Sequence, residues 1–484
     1  MNRRTFLSTA LAAGTLCAQT KPASAQSKPK RPNIVFIMTD DHGSWATGAY
    51  GCKDIKTPNI DALAHDGVKF QNAFASTPVC SPSRLTYFSG KMPYAHGVQD
   101  WIIAPEAFGP ESTPVLKDHE SFTEVLARNG YHLGLSGKWH MGGDEHAQEG
   151  FTHWHTIPGG GGPYQDQEFV ENGVKSVKPG FKTDHVGDGA VRFLEAHQRT
   201  HANEPFFLNL SFYAPHTPYN YQPEVYREPY KDSTFSCYPR VPVHLWLNAN
   251  YEVHHLNTES MRAYSALITA ADANIGKVLR QLKKMGVMEN TLIIFTADQG
   301  WNAGHHGVWG KGNGTVPRNM YEESIRVPMI WRLPGKERAG TTCDAMISSY
   351  DFFPTLLDYV GLETSPDKQR VGESYAPFLR GEEPQWRDRL FFEYADVRSL
   401  RTRTKKLLLR AKPLPPELYD LEADPQERKN VAGDPRYAEV QNALTRELEA
   451  FFAKQGAPPI DQWQKRSIRT VTQYKRRVER PAKP

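Results

Sequence analysis

Four short apolar runs along the chain each end in a polar cluster. Asn33-Ile-Val-Phe-Ile-Met38 leads into Thr39-Asp40-Asp41-His42, and Tyr131-His-Leu-Gly-Leu-Ser136 into Gly137-Lys138-Trp139-His140. Phe206-Phe-Leu-Asn-Leu-Ser-Phe212 leads into Ala214-Pro215-His216-Thr217-Pro218, and Leu292-Ile-Ile-Phe295 into Thr296-Ala297-Asp298-Gln299-Gly300. Each run has the length and composition of a buried strand. Helical spacing lies between them: Tyr264, Leu267, Ile268, Ala271, Ile275, Val278, Leu279 and Leu282 share one face of a long helix. Strand, helix and strand in alternation predict an α/β fold, a parallel sheet with helices on both faces. Ligand sites in such sheets lie beyond the carboxyl ends of the strands. All four polar clusters fall there.

The pattern changes after about Gly381. Leu390 to Tyr394, Ser399 to Arg403, Lys406 to Leu409 and Leu418-Tyr-Asp-Leu predict short, closely spaced strands. Tyr437 to Lys454 carries helical spacing, with Val440, Leu444, Leu448 and Phe451 on one face. A large domain over 31–385 and a small antiparallel sheet with one helix over 386–464 are expected, then a basic tail over 465–484. Pro158-Gly-Gly-Gly-Gly-Pro163 is a loop that neither helix nor strand accommodates.

With 39% apolar and 23% charged residues, the composition excludes wholesale disorder. The net charge of +4 includes Arg3, Arg4 and Lys21. Those three fall in residues 1–25, which read as a twin-arginine export signal: Arg3-Arg4, a short apolar stretch, then Ala23-Ser-Ala25 as cleavage site. The remaining charge is too small for a nucleic-acid footprint, and no apolar run is long enough for a stable membrane span. An exported protein, periplasmic or extracellular, is expected. Of five cysteines, four follow the signal, too few for a disulfide framework. One pair is possible, and the sequence does not choose its members.

Adjacent carboxylates such as Asp40 and Asp41 repel unless a cation lies between them. With Asp298 and the Gln299 amide they form an all-oxygen set suited to calcium or magnesium. Each pair alone reads equally well as turn capping. In Pro78-Val-Cys80-Ser-Pro-Ser-Arg84, a cysteine enters a helix N-terminus, where the dipole favours its anion, and Arg84 one turn on adds positive charge.

Cys80-Ser-Pro-Ser-Arg84 with Gly90 resembles the signature of the type I sulfatases of the alkaline phosphatase superfamily. Asp40-Asp41, Gly137-Lys138-Trp139-His140, Pro215-His216, Asp298-Gln299 and Lys311 resemble the family's site segments, in order. Ser89 stands where Thr is usual, and Gln299 where Asn or His is commoner. The resemblance runs from about Pro32 to Pro435. It implies an alkaline-phosphatase-like, mixed but mostly parallel sheet flanked by helices, with a smaller C-terminal α+β domain.

It further implies a sulfuric ester hydrolase. In that family the cysteine is oxidised to formylglycine before folding, by a formylglycine-generating maturation enzyme. Here Cys80 would be so modified and, with Asp40, Asp41, Asp298 and Gln299, would hold one calcium, magnesium being the alternative. The hydrated aldehyde would be the nucleophile and Asp298 would accept its proton. Lys138 and Lys311 would hold sulfate oxygens, His216 would protonate the departing alcohol, and His140 would release sulfate by deprotonating the second hydroxyl. Arg84 would hold the modified side chain. A phosphodiester or phosphonate monoester hydrolase would share much of this site, and a binding protein with a dead site is a third class.

The substrate is expected to be a sulfated saccharide taken end-first into a pocket, or else a small aryl or alkyl sulfate. Candidate substrate residues are His96, Asp100, Trp101 and His306, with His155, His254 and His255 at the mouth. Trp101, Trp154, His155 and the tetraglycine loop are candidates for a sugar platform.

Overall fold

The computed structural model of the chain describes residues 31–103, 107–109, 112, 114–332 and 339–462. The expected signal, 1–25, and basic tail, 465–484, lie outside them.

Ten strands form one sheet: β1 (Asn33–Thr39), β2 (Val68–Phe74), β3 (His132–Lys138), β4 (Phe151–Ile157), β5 (Glu168–Glu171), β6 (Val174–Val177), β7 (Phe206–Ser211), β8 (Thr291–Ala297), β9 (Met329–Arg332) and β10 (Thr341–Ser348). Their order is β10-β2-β9-β8-β1-β7-β3-β4-β5-β6. The four runs singled out by sequence are the contiguous centre, β8-β1-β7-β3, and every pairing among them is parallel. The sheet is mixed because β9 runs against both β2 and β8, while β5 runs against β4 and β6.

Both faces of the central strands are covered, so these strands are apolar throughout rather than alternating. On one face Ile34, Phe36, Leu133 and Ile294 pack with Leu85, Phe88, Phe122 and Phe352 from three helices. On the other, Val35, Ile37, Leu208 and Phe295 meet Val186 and Phe193 of the Lys182–Thr200 helix and Leu267 and Ile275 of the Thr258–Lys284 helix. All eight residues expected on one face of the latter helix are buried.

A four-stranded antiparallel sheet follows: β11 (Arg389–Tyr394), β12 (Val397–Thr402), β13 (Lys405–Arg410) and β14 (Glu417–Asp420), in that order. The Ala438–Lys454 helix covers it with Leu444, Leu448 and Phe452, while Phe451 stacks on Phe391 at 3.7 Å. This sheet shares a core with Phe74, Val79, Met320 and Ile325 of the larger part.

Candidate active site

Register sets the site. Thr39 pairs with Ala297 and Gly137 with Ser211, so the polar clusters leave neighbouring strands at one level. Asp298 N–H donates to Thr39 O at 3.0 Å and Asp40 N–H to Ala214 O at 3.2 Å, carrying the adjacency past the strand ends. Gly137 is required where β3 passes β7: a Cβ there would stand 1.8 Å from Ser211 O, and its φ is +113°. Asp41 and His140 hold left-handed backbones, φ 63° and 59°, a strain that clusters at functional sites.

The Cys80–Ser89 helix is wholly buried and brings Cys80 and Arg84 beneath these loops. Arg84 Nε donates to Asp298 Oδ2 at 2.9 Å, and its Nη1 donates to Lys138 O at 3.0 Å and Ser211 Oγ at 2.8 Å. Lys138 Nζ pairs with Asp40 Oδ2, and Lys311 Nζ lies 2.7 Å from Asp41 Oδ1. Gln299 Nε2 donates to Asp40 Oδ1 at 3.0 Å and Asp41 Oδ1 at 2.7 Å. His216 Nε2 lies 3.6 Å from Asp41 Oδ2. Atoms of Asp40, Asp41 and His216 lie within 4.8 Å of one another, as a metal-binding group requires.

Burial alone would raise the Asp40 carboxyl, but Lys138, His216, Lys311 and Arg84 hold it well below the ordinary range. Asp41 is pushed up by burial despite Lys311, and Asp298 to about 6 by burial and by Asp40. Three carboxylates are thus crowded against three cations, Lys138, Lys311 and Arg84. Asp41 Oδ2 and Gln299 Oε1 accept no hydrogen bond though both are buried. Crowded carboxylates and orphaned oxygens fit a hard divalent cation.

Burial raises the Cys80 thiol, against Lys138 and Lys311. This runs against the sequence expectation of an easily formed thiolate, with desolvation as the largest cause. His140 Nε2–H donates to Ile102 O at 2.9 Å, and burial with Lys138 holds the ring neutral. Gly160 of the tetraglycine loop packs on that ring, where a Cβ would stand 2.3 Å from it.

The expected mouth residues divide. Trp101 is 42% exposed, and its neighbour Asp100 accepts from Arg318 Nη2 at 3.0 Å and Tyr394 O–H at 2.9 Å. Ile102, one residue on, donates from its N–H to Ser81 Oγ, which places this segment beside Cys80. His96 is buried under the Cys80 helix against Thr86 and does not reach the mouth. Trp154 and His155 are not a platform either: Trp154 is buried against Trp139 and Phe151, and His155 stacks on Phe169. Their aromatic area packs the sheet instead. His306 pairs with Glu323 at 2.7 Å and stacks on Tyr321. His254 packs on Tyr219, and His255 bonds to Val241 O.

Two buried groups escaped the sequence reading. Asp144 has neither carboxylate oxygen hydrogen-bonded to a side chain, and burial raises it to about 8 beside Lys138. Lys182 Nζ donates to Gly162 O at 2.7 Å and sits 3.8 Å over the Tyr213 ring. Neither belongs to a motif, and only the long-range fold brings them near.

The sulfatase family profile matches residues 32–362, and the C-terminal profile of N-sulphoglucosamine sulphohydrolase matches 304–454. An N-acetylglucosamine-6-O-sulfatase of Bacteroides thetaiotaomicron is 31% identical over 91% of this chain and 89% of its own length. An ulvan-active sulfatase of Formosa agariphila is 28% identical, over 90% and 84%. A solved structure in complex with its substrate D-glucosamine-2-N,6-O-disulfate superposes with a TM-score of 0.76 at 28% identity, over 90% of this chain and all of that one. With its central parallel strands, its strand-end carboxylates and this match over most of its length, the chain belongs to the sulfatase family, as a type I sulfuric ester hydrolase of the alkaline phosphatase superfamily.

Proposed function

We propose that the enzyme removes sulfate from a sulfated saccharide, acting on a terminal or near-terminal sugar, with Cys80 as formylglycine and one calcium, or alternatively magnesium, held by Asp40, Asp41, Asp298 and Gln299. The observation that carries the reading is the meeting of Lys138, Lys311 and His216 on Asp40 and Asp41 beside Cys80. When bound, the cation and the hydrated aldehyde would supply positive charge at the sulfuryl group and an oxygen nucleophile.

The chain's own residues do the rest. Lys138 and Lys311 exchange their carboxylate partners for sulfate oxygens, the point-charge role that lysine suits. Asp298 takes the proton of the nucleophile while Arg84 keeps its orientation. His216 delivers a proton from Nε2 to the departing alcohol oxygen. His140 has its proton on Nε2, committed to Ile102, so Nδ1 is the atom that takes a proton as sulfate leaves.

The saccharide reading is supported by relatives whose names specify sulfated sugars, and by Trp101 with Asp100 next to the Cys80 helix. Maturation by a formylglycine-generating enzyme and export through the twin-arginine signal complete the proposal. Rates on an aryl sulfate, an aryl phosphate diester and a panel of sulfated mono- and oligosaccharides test it. Sulfate release fastest from terminal sugar sulfates is expected. Faster phosphate diester cleavage, or release only from the interior of long polymers, would overturn it.

A further inference from the structure

The four cysteines among the described residues are distributed unevenly. Cys80 stands at the head of its helix, and Cys343 lies on β10, packed against the cluster that holds Phe352. The other two meet. Cys52, 8% exposed, follows the Gly48–Gly51 turn, and Cys237, in the loop after Phe235, packs on the apolar cluster that holds Cys52. The backbones around them are already clamped: Asp54 Oδ2 accepts Cys237 N–H at 2.8 Å and Ser236 O–H at 3.0 Å. Phe235 and Tyr238, on either side of Cys237, share one apolar cluster with Cys52 and Ile55.

We propose that Cys52 and Cys237 close to a disulfide when the folded chain meets a thiol-oxidising environment. One thiolate of the pair attacks a disulfide-bonded oxidant, such as a thiol–disulfide oxidoreductase or oxidised glutathione, and expels one of its sulfurs as a thiolate. The second cysteine gives its proton to solvent, attacks the mixed disulfide and expels the other sulfur. Two electrons pass to the oxidant, whose disulfide becomes two thiols. The Cys52 thiol is lowered to about 7, chiefly by the hydrogen bond with Cys237, so a thiolate is available at neutral pH.

The bond would brace the loop that carries Lys311. The Cys237 segment forms one wall of a cavity of about 860 Å³, lined also by His244, His305, His306 and Tyr321. His244 N–H donates to Gly307 O at 2.9 Å, and a Cβ on Gly304 would stand 2.9 Å from Pro239 O. On the Cys52 side, Trp45 packs on both Tyr238 and His305. Closure therefore joins the segment after Asp40-Asp41 to the wall supporting the loop after Asp298-Gln299.

The test uses the purified chain held in oxidised glutathione, alkylated, digested without reduction and weighed by mass spectrometry. The expected product joins the Cys52 and Cys237 peptides, about 2 Da lighter than their sum, with Cys343 alkylated. Its Tm should exceed that of the reduced protein by a few degrees, a difference absent from the C52S and C237S variants. Recovery of both cysteines alkylated, as separate glutathione adducts, or paired with Cys343 would overturn the proposal. The readout does not involve sulfate release, so it stands or falls apart from the catalytic reading.

Discussion

Arg84 Nη2 lies 2.8 Å from Asp298 Oδ2, the oxygen that also accepts from Arg84 Nε. This leaves Asp298 Oδ1 for the N–H of Gln299 at 2.9 Å and that of Asp41 at 3.4 Å. Through Nη1 the same guanidinium holds the ends of β3 and β7. Arg84→Ala should cost about 3–5 kcal/mol, the usual consequence of removing one member of a buried ion pair, seen as a lower Tm. Arg84→Lys should keep the charge, lose the fork, and drop turnover of an aryl sulfate by about 100-fold or more.

Mass spectrometry of active enzyme should find the Cys80 peptide about 18 Da lighter than its thiol form, the change from thiol to aldehyde. Cys80→Ala should leave the Tm within about 2 kcal/mol of stability while removing turnover. An active protein with an intact thiol would refute this maturation.

Calcium should raise the Tm of chelator-treated protein, by about 2.7 kcal/mol of stability at a hundredfold excess over Kd. Asp41→Asn should abolish most of that rise, because it removes one of the three crowded carboxylates. Zinc, a poor match for an all-oxygen set, should not reproduce it.

Burial, helped by His119, depresses His96 to about 3 from its ordinary 6.5. Between those values the unfolded chain binds a proton that the folded chain refuses. The stability is therefore complete above pH about 6.5 and lost as the pH falls, by about 2–3 kcal/mol at pH about 4.5. Tm measured from neutral to acidic pH should show the decline, and His96→Asn should make it shallower, since His42, His132 and His155 are depressed in the same way.

Trp101→Ala should raise KM for a sulfated saccharide about 3- to 10-fold, the scale of one aromatic contact, and leave an aryl sulfate unaffected. Equal effects on both would remove Trp101 from sugar recognition.

The central sheet was legible because β1, β3, β7 and β8 are buried on both faces and so read as continuous apolar runs ending in charge. The outer strands were not. β2 interleaves Lys69, Gln71 and Asn72 with its apolar residues, and β9 has only four residues. The carboxylates, Lys138 and His216 stood out because each lies within a few residues of a strand end, whereas Lys311, fourteen residues past β8, was named only through the family resemblance. Trp154, His155 and His96 went astray for one reason: an aromatic or imidazole ring is as suited to a core as to a mouth, and only tertiary packing decides. The Arg318–Asp100 contact left no local pattern, since its partners are distant in sequence.

Asp41 and Gln299 touch across 258 positions of sequence, and the Cys80 helix is sealed beneath them. On a ribosome that distance is a delay. Asp298 is added roughly 220 residues after Cys80, which at about 5–20 residues per second is about 10–45 s. For that interval β8 does not exist, and the pocket that later buries Cys80 cannot close. The order of the strands in the gene would therefore hold open a clock-like window for the proposed modification of the cysteine. Faster translation, or a permuted chain with β8 made first, would shorten that window and leave more of the protein folded around an unmodified thiol.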